Sequence, residues 1–383
     1  MSIPRKVLIL GATGSIGTSA LKVARDIPDR MKIVGLAAHR SIDALHTQVL
    51  ETGVKQIAVT DAESATQIRA RLAKDVEVFS GPDCLVDLVR ASDADMVVVA
   101  IVGTAGLAPA LAAIDCSKHL AVASKEILVM AGEAVMSAAA RKGVDILPVD
   151  SEHNAIFQCL EGHKHSEVRR LLLTASGGPF RQTPAEDIRH VTLSQALKHP
   201  TWTMGKKITI DSATLFNKGL EMIEAHWLFG VPMSKVEVVV HPQSIVHSMV
   251  EFMDNSVIAQ LSHSDMCFPI QYAVTWPERV PNSLPPIDFA RMAQLQFESP
   301  RTDVFPSLNL ARQAGDIGGT LPAVLNAANE VAVAAFLEER IPFPRIWESV
   351  EAVMQAHDVL QHPTLEALIE ADRWAREEST RII

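Results

Sequence analysis

The sequence predicts an α/β protein with an N-terminal parallel sheet, an α+β middle domain and a C-terminal helical bundle domain. Three observations predict it. β-like and helical patterns alternate through the first 150 residues, which implies βαβ crossovers. A glycine-rich turn, Gly11-Ala12-Thr13-Gly14-Ser15-Ile16-Gly17, separates the first strand pattern from the first helical one, a Rossmann-like arrangement. Beyond about Leu308 the pattern turns helical.

Taken in order, Val7 to Leu10 reads as a strand, Ser15 to Ile27 as a helix, Lys32 to Ala37 as a strand and Ser41 to Glu51 as a helix. Ile57 to Val59 and Val97 to Val102 add strands, and Ala121 to Glu126 is a strand turning into a helix. Met96 to Ile114 is uncharged and nearly long enough to span a bilayer. Gly103, Gly106 and Pro109 interrupt it, and a buried parallel strand running into a loop and helix explains it better. Asp145 to Val149, Arg170 to Thr174, Lys235 to Val240 and Ser256 to Leu261 are later strands. Pro277, Pro281, Pro285 and Pro286 mark a linker, because proline removes backbone donors. Ala323 to Leu337 is the clearest helix. The implied domains are 1–149, 150–279 and 308–383, with a linker at 280–307.

A chain of 383 residues that is 48% hydrophobic can fill two or three cores. Its net charge of −10 argues against a general nucleic-acid binder, while leaving room for a local basic pocket. Cys84, Cys116, Cys159 and Cys267 form no C-x-x-C pair, which suits a reducing compartment. The N-terminus runs directly into the first strand with no signal-peptide pattern, so a cytoplasmic protein without a membrane segment is expected.

Several short motifs carry chemistry. In the glycine turn, bare backbone and a helix N-terminus can cradle a pyrophosphate. The second strand ends at His39-Arg40-Ser41 with no acid to hold a ribose hydroxyl, which fits the 2′-phosphate of NADP; Arg40 is otherwise an ordinary surface residue. In Ser124-Lys125-Glu126 capping explains Ser124, whereas Lys125 is a cation placed where ligands bind. Asp150 and Glu152 follow a strand, and period-two alternation would turn both to one side. With Glu221 they offer an all-oxygen set suited to Mg²⁺ or Mn²⁺, the plain alternative being solvated loop carboxylates. Ser176-Gly177-Gly178, Asp211-Ser212-Ala213-Thr214 and Asn217-Lys218, before or at the start of a helix holding Glu221, together resemble a phosphate cradle, although each alone is a common turn or cap. Lys198-His199-Pro200-Thr201-Trp202-Thr203-Met204-Gly205 is a lid or a packed anchor. His163-Lys164-His165 reads as a solvated loop, and His241 to His247 as structural or interfacial.

These motifs give the chain a family resemblance. GATGSIG, SKE, PVDSEHNAIFQ, SGGPF, HPTWTMGKKITIDSATLFNKGLEMIEA, HPQSIVHSMVE and VLNAANEVAVAAF together resemble the 1-deoxy-D-xylulose 5-phosphate reductoisomerases nearly end to end. The resemblance implies an NADPH domain, a catalytic and connective domain, a C-terminal helical domain and a homodimer built largely through the middle domain. It implies Asp150, Glu152 and Glu221 as ligands of Mg²⁺, Mn²⁺ or Co²⁺. It implies substrate contacts at Lys125, Ser151, Glu152, Ser176, His199, Ser212, Asn217, Lys218 and Glu221, with Trp202 and Met204 in a lid. NADPH contacts fall on Thr13, Gly14, Ser15, Ile16, His39, Arg40, Ser41, Ser124, Glu126 and Gly205. Ser124, Ala12 and Thr201 depart from the commoner Asn, Ser and Asn.

The implied activity converts a ketose phosphate to 2-C-methyl-D-erythritol 4-phosphate, by retro-aldol cleavage, re-addition and reduction, in non-mevalonate isoprene biosynthesis. Another NADP-dependent dehydrogenase of a small phosphorylated substrate could own the fingerprint, yet would not need three carboxylates with an NKGLE helix start. A cofactor-sensing regulator would lack Lys125 and the acidic triad, all present here.

Overall fold

Seven short, mostly apolar segments build a parallel sheet in the first part of the computed structural model, which describes residues 3–383. The chain runs β1 (Arg5–Leu10), α1 (Ser15–Asp26), β2 (Met31–Ala38), α2 (Ile42–Thr52), β3 (Gln56–Val59), α3 (Ala62–Arg69) and β4 (Glu77–Ser80). It continues through α4 (Cys84–Ala91), β5 (Met96–Val99), α5 (Leu107–Asp115), β6 (His119–Val122), α6 (Glu126–Lys142) and β7 (Ile146–Pro148). Strand order is β4-β3-β2-β1-β5-β6-β7, every neighbour parallel. Val7 to Leu10 and Met96 to Val99 are fully buried, which is why both read as unbroken apolar runs. The order reverses at β1, whose neighbours are β2 and β5, so a crevice lies beyond the carboxyl ends of β1 and β5.

Two local expectations change. The strand expected at 97–102 stops at Val99, because Gly103 takes φ +75° and opens a tight helical turn, Gly103–Gly106. β4 carried no readable signal, since as the edge strand it buries none of its four residues fully.

The chain then forms α7 (Ser151–Leu160), β8 (Val168–Ala175), α8 (Leu193–Ala196), α9 (Lys206–Thr214), α10 (Phe216–Phe229), β9 (Val236–Val240), β10 (Val246–Phe252) and β11 (Val257–Leu261). The second sheet has the order β11-β10-β8-β9, with β8 and β9 parallel and β10 antiparallel to both neighbours. Parallel pairing of β8 with β9 requires a crossover, which α8, α9 and α10 supply. Helices α11 (Cys267–Thr275), α12 (Phe289–Met292), α13 (Ser307–Ile317), α14 (Leu321–Leu337), α15 (Arg345–Ala356) and α16 (Leu365–Ile382) complete the chain.

Two compact units result: residues up to 127 with 134–154 and 265–285, and residues 128–133, 155–264 and 286–383. Linear boundaries at 149, 279 and 307 do not express this partition, because α11 returns to pack on α1, β6 and β7 of the first unit. In the second unit the C-terminal helices share one buried cluster with the four-stranded sheet, joining Leu171, Ile210 and Leu220 to Val324, Phe343 and Ala375. Phe343 is fully buried and meets Phe180, Phe336 and Trp347 edge-on, with ring centroids 5.2, 5.4 and 5.5 Å away. Among the described residues the four cysteines are free, and no helix is long and apolar enough to cross a membrane.

Because Phe343 links the helical and sheet halves of one core, Phe343→Ala should cost roughly 3–5 kcal/mol. Urea unfolding followed by tryptophan fluorescence and by circular dichroism should report that loss at a common midpoint. Separate midpoints for the two signals would show that the halves are not one core.

Candidate functional site

The glycine turn occupies the crevice at the point where strand order reverses. A Cβ on Gly11, at φ +91°, would lie 2.3 Å from the Ala100 carbonyl oxygen, and one on Gly17 would lie 2.4 Å from that of Gly11, so backbone packing demands both glycines. Gly14 is different. A Cβ there would meet only the Gly11 carbonyl at 3.4 Å, an ordinary contact, and the residue is exposed. Packing does not demand this glycine, whereas a ligand lying on the backbone would. No side chain caps α1 and no acid stands in its first turn, so the positive helix end at exposed Ser15 and half-buried Ile16 has no side-chain counter-charge of its own.

At the end of β2, Arg40 donates from Nε to Asp61 Oδ1 at 3.1 Å, and the ring Nδ1 of His39 lies 2.8 Å from Thr60 Oγ1. Asp61 also accepts from the Ser64 amide as the cap of α3, and these bonds, the Ser64 amide first, hold its carboxyl at about 2. The acid absent after β2 in sequence is therefore supplied by the end of β3. Its signal was Asp61-Ala62-Glu63-Ser64, a helix-start pattern. Ser41 precedes α2 without a side-chain cap bond.

Ser124 does not cap α6, contrary to its expected role. Its hydroxyl donates to the Ile101 carbonyl and steadies the loop after β5, while Lys125 stands at the helix start and Glu126 opens the helix. Lys125 Nζ donates to Asp150 Oδ2 at 2.8 Å, both side chains being nearly buried. The strand alternation expected for Asp150 and Glu152 fails as well: β7 ends at Pro148 and α7 begins at Ser151. A helix start sets their spacing instead, with the Glu152 amide donating to Asp150 Oδ1 at 3.2 Å and the Ser151 hydroxyl to Glu152 Oε2 at 2.5 Å.

The other chemical residues sit on the crossover from β8 to β9. Ser212 lies near the end of α9, ahead of the helix that holds Glu221, and Leu215, left-handed at φ +65°, turns the chain into α10. Glu221 lies four residues after Asn217 and three after Lys218 on α10, so both Asn217 Nδ2, at 2.5 Å, and Lys218 Nζ donate to the Glu221 carboxylate. Glu221 and Lys218 are buried together.

His199 organises the hydroxyls. Its Nδ1 accepts from the backbone amides of Thr201 at 3.2 Å and Trp202 at 2.9 Å, so the ring proton must be on Nε2. Nε2 lies 2.9 Å from Ser176 Oγ and 3.1 Å from Ser212 Oγ. Ser176 Oγ also accepts from the Gly178 amide at 3.2 Å. Serine oxygens occupied as acceptors leave their own protons to donate outward, as an anion requires. Gly178 is left-handed at φ +66°, and its missing Cβ lets it approach the Ser212 carbonyl, where a Cβ would lie 2.8 Å away.

Trp202 and Met204 are half-buried between exposed Thr201, Thr203 and Gly205, with Trp202 edge-on to His247 at 6.3 Å. His241 is structural: Nδ1 faces the Gln296 carbonyl at 2.8 Å and Nε2 accepts from the Ile245 amide. The 163–165 run is exposed, as expected.

Three family models match: 1-deoxy-D-xylulose 5-phosphate reductoisomerase over residues 7–132, its C-terminal domain over 146–229, and the DXP reductoisomerase C-terminal domain over 261–378. A 1-deoxy-D-xylulose 5-phosphate reductoisomerase of Chlorobium chlorochromatii (strain CaD3) is 55% identical over 374 residues, 97% of this chain and 98% of that protein. The chain belongs to the 1-deoxy-D-xylulose 5-phosphate reductoisomerase family. The reductoisomerase of Zymomonas mobilis, solved in complex with NADPH, superposes with a TM-score of 0.93 at 43% identity, covering 99% of each chain. A DOX-P reductoisomerase solved with NADPH, fosmidomycin and magnesium gives 0.92 at 38% identity and 98% coverage of each.

In this reductoisomerase-family chain, burial lowers both His199 and His247 to about 4. Between pH 6.5 and 4 the unfolded chain takes up protons that the folded chain refuses, so stability is fully present above 6.5 and falls as pH drops through that window. Thermal melting from pH 7 to 4.5 should therefore show a declining midpoint, and His199→Gln should flatten part of the decline. An unchanged slope in the variant would mean that His199 titrates normally.

Proposed function

We propose that the protein converts 1-deoxy-D-xylulose 5-phosphate to 2-C-methyl-D-erythritol 4-phosphate with NADPH and a divalent cation, and so serves non-mevalonate isoprenoid synthesis. The family match along nearly the whole chain carries this reading. The chemistry of the donors agrees with it. Exposed Gly14 and the uncapped start of α1 suit a pyrophosphate, with Thr13, Gly14, Ser15 and Ile16 lining it. Arg40, with His39 and Ser41, would receive the 2′-phosphate, since Asp61 engages its Nε and leaves the terminal nitrogens to form a fork. Ser124, Glu126 and Gly205 complete the cofactor contacts.

As the family resemblance implies, Asp150, Glu152 and Glu221 would hold the cation. Three carboxylates without a sulfur ligand suit a hard ion such as Mg²⁺, and Mn²⁺ or Co²⁺ as substitutes. When bound, NADPH supplies hydride and the cation offsets negative charge developing on the substrate oxygens. The chain supplies the rest. Ser176, Ser212, Asn217 and Lys218 grip the phosphate while neutral His199 keeps the serine protons pointing outward. Lys125 and Ser151 orient the substrate oxygens beside Asp150 and Glu152. Trp202 and Met204 cover the substrate and exclude water, with phosphate binding energy driving closure.

A homodimer is supported by the outer face of the four-stranded sheet. Leu172, Met249 and Ala259 form one row there and stay only partly buried, while Leu171 and Leu173 on the opposite face are fully buried. A second copy of the chain would cover that row. Four free cysteines suit a cytoplasmic location.

Turnover of 1-deoxy-D-xylulose 5-phosphate, followed by NADPH absorbance with and without Mg²⁺, tests the activity directly. Asp150→Asn, Glu152→Gln and Glu221→Gln should each lower kcat by about two orders of magnitude or more with folding intact. Wild-type turnover in any of them at limiting Mg²⁺ removes that residue from the set. Arg40→Ala should raise KM for NADPH about 10–100-fold and leave that for NADH nearly unchanged, as expected for a charged hydrogen-bonded pair. Equal effects on the two cofactors would refute its phosphate role.

A further inference from the structure

Gln48 is a buried polar residue on the inward face of α2, otherwise formed by Ile42, Leu45 and Val49. Its Nε2 donates to the Ala12 carbonyl at 3.0 Å, inside the glycine turn. Its Oε1 is buried without a hydrogen-bond partner. An orphaned buried oxygen destabilises the fold, so an apolar residue of equal length would suit packing better. What the amide supplies is its N–H.

That bond fixes a peptide plane. In a planar trans peptide the C=O and the following N–H point in opposite directions. With the Ala12 carbonyl held inward by Gln48, the Thr13 N–H is turned away from α2. The rest of the turn is pinned independently, since the Gly11 and Ala12 amides both donate to the Ala37 carbonyl, at 3.0 and 2.8 Å, and Gly17 packs against Ala12. The Gly14 carbonyl accepts from the Thr18 amide as well as the Thr18 hydroxyl, whereas the Ala12 carbonyl is held by the Gln48 side chain.

We infer that Gln48 is a positioning residue for the dinucleotide, aiming the Thr13 amide at the pyrophosphate. The inference rests on the NADPH reading of the crevice. Gln48→Met keeps the length and packing and removes both polar atoms. Three quantities are read: the melting temperature of the ligand-free protein, and the Kd values for NADPH and for 2′-AMP, which carries the 2′-phosphate and no pyrophosphate. The expected result is a melting temperature unchanged or raised, an NADPH Kd weakened about tenfold, the size of one lost hydrogen bond, and an unchanged 2′-AMP Kd. Gln48→Leu, which has no donor for Ala12, should lose NADPH affinity in the same way and serves if the Met variant does not fold. Unchanged NADPH affinity, or parallel weakening of both ligands with a lower melting temperature, overturns the role of Gln48. A wild-type protein that binds no NADPH overturns the cofactor reading itself.

Discussion

A buried carboxylate must have a counter-charge, and this constraint organises the chemical half of the molecule. The Asp150 side chain is 12% exposed and Glu221 only 1%. Left alone in such places, each would take up a proton or unfold its surroundings. Lys125 answers Asp150 at 2.8 Å, and Lys218 answers Glu221 from one helical turn away. Truncating the lysine of such a pair leaves an uncompensated buried carboxylate, which costs far more than the pair itself contributes. The Lys-Gly-Leu-Glu spacing and the parallel pairing of β6 with β7 bring the partners of each pair together.

Both units follow one geometric rule, that polar groups gather where parallel strands end. In the first unit the reversal of strand order at β1 opens a crevice, and the glycine turn fills it with amides rather than side chains. In the second unit the crossover between β8 and β9 carries Ser176, His199, Ser212, Asn217 and Lys218. A neutral histidine there is more useful than a charged one. Its single ring proton is shared between two serine oxygens, so both serines become outward donors.

Much of this was legible because the signals were local. The glycine turn, the continuous apolar strands and the placing of Glu221 one helical turn after Asn217 and Lys218 all follow from neighbours in sequence. What stayed hidden depends on distance along the chain. The bond between Arg40 and Asp61 joins residues 21 positions apart, and that from Gln48 to Ala12 spans 36. Strand alternation was expected to turn Asp150 and Glu152 to one side, whereas a helix begins where the strand was expected to continue. Ser124 looked like a cap and holds a loop instead. The return of α11 to the first sheet left no composition signal, because a helix apolar on most sides reads alike in either unit.

The proposed function requires that Asp150, Glu152 and Glu221 jointly hold one divalent cation. Titration of the protein with Mn²⁺, with free ion counted by electron paramagnetic resonance, tests it without any turnover. The account predicts one Mn²⁺ per chain, with affinity sharply reduced in the Asp150→Asn and Glu221→Gln proteins alike. Wild-type affinity in either variant would contradict it.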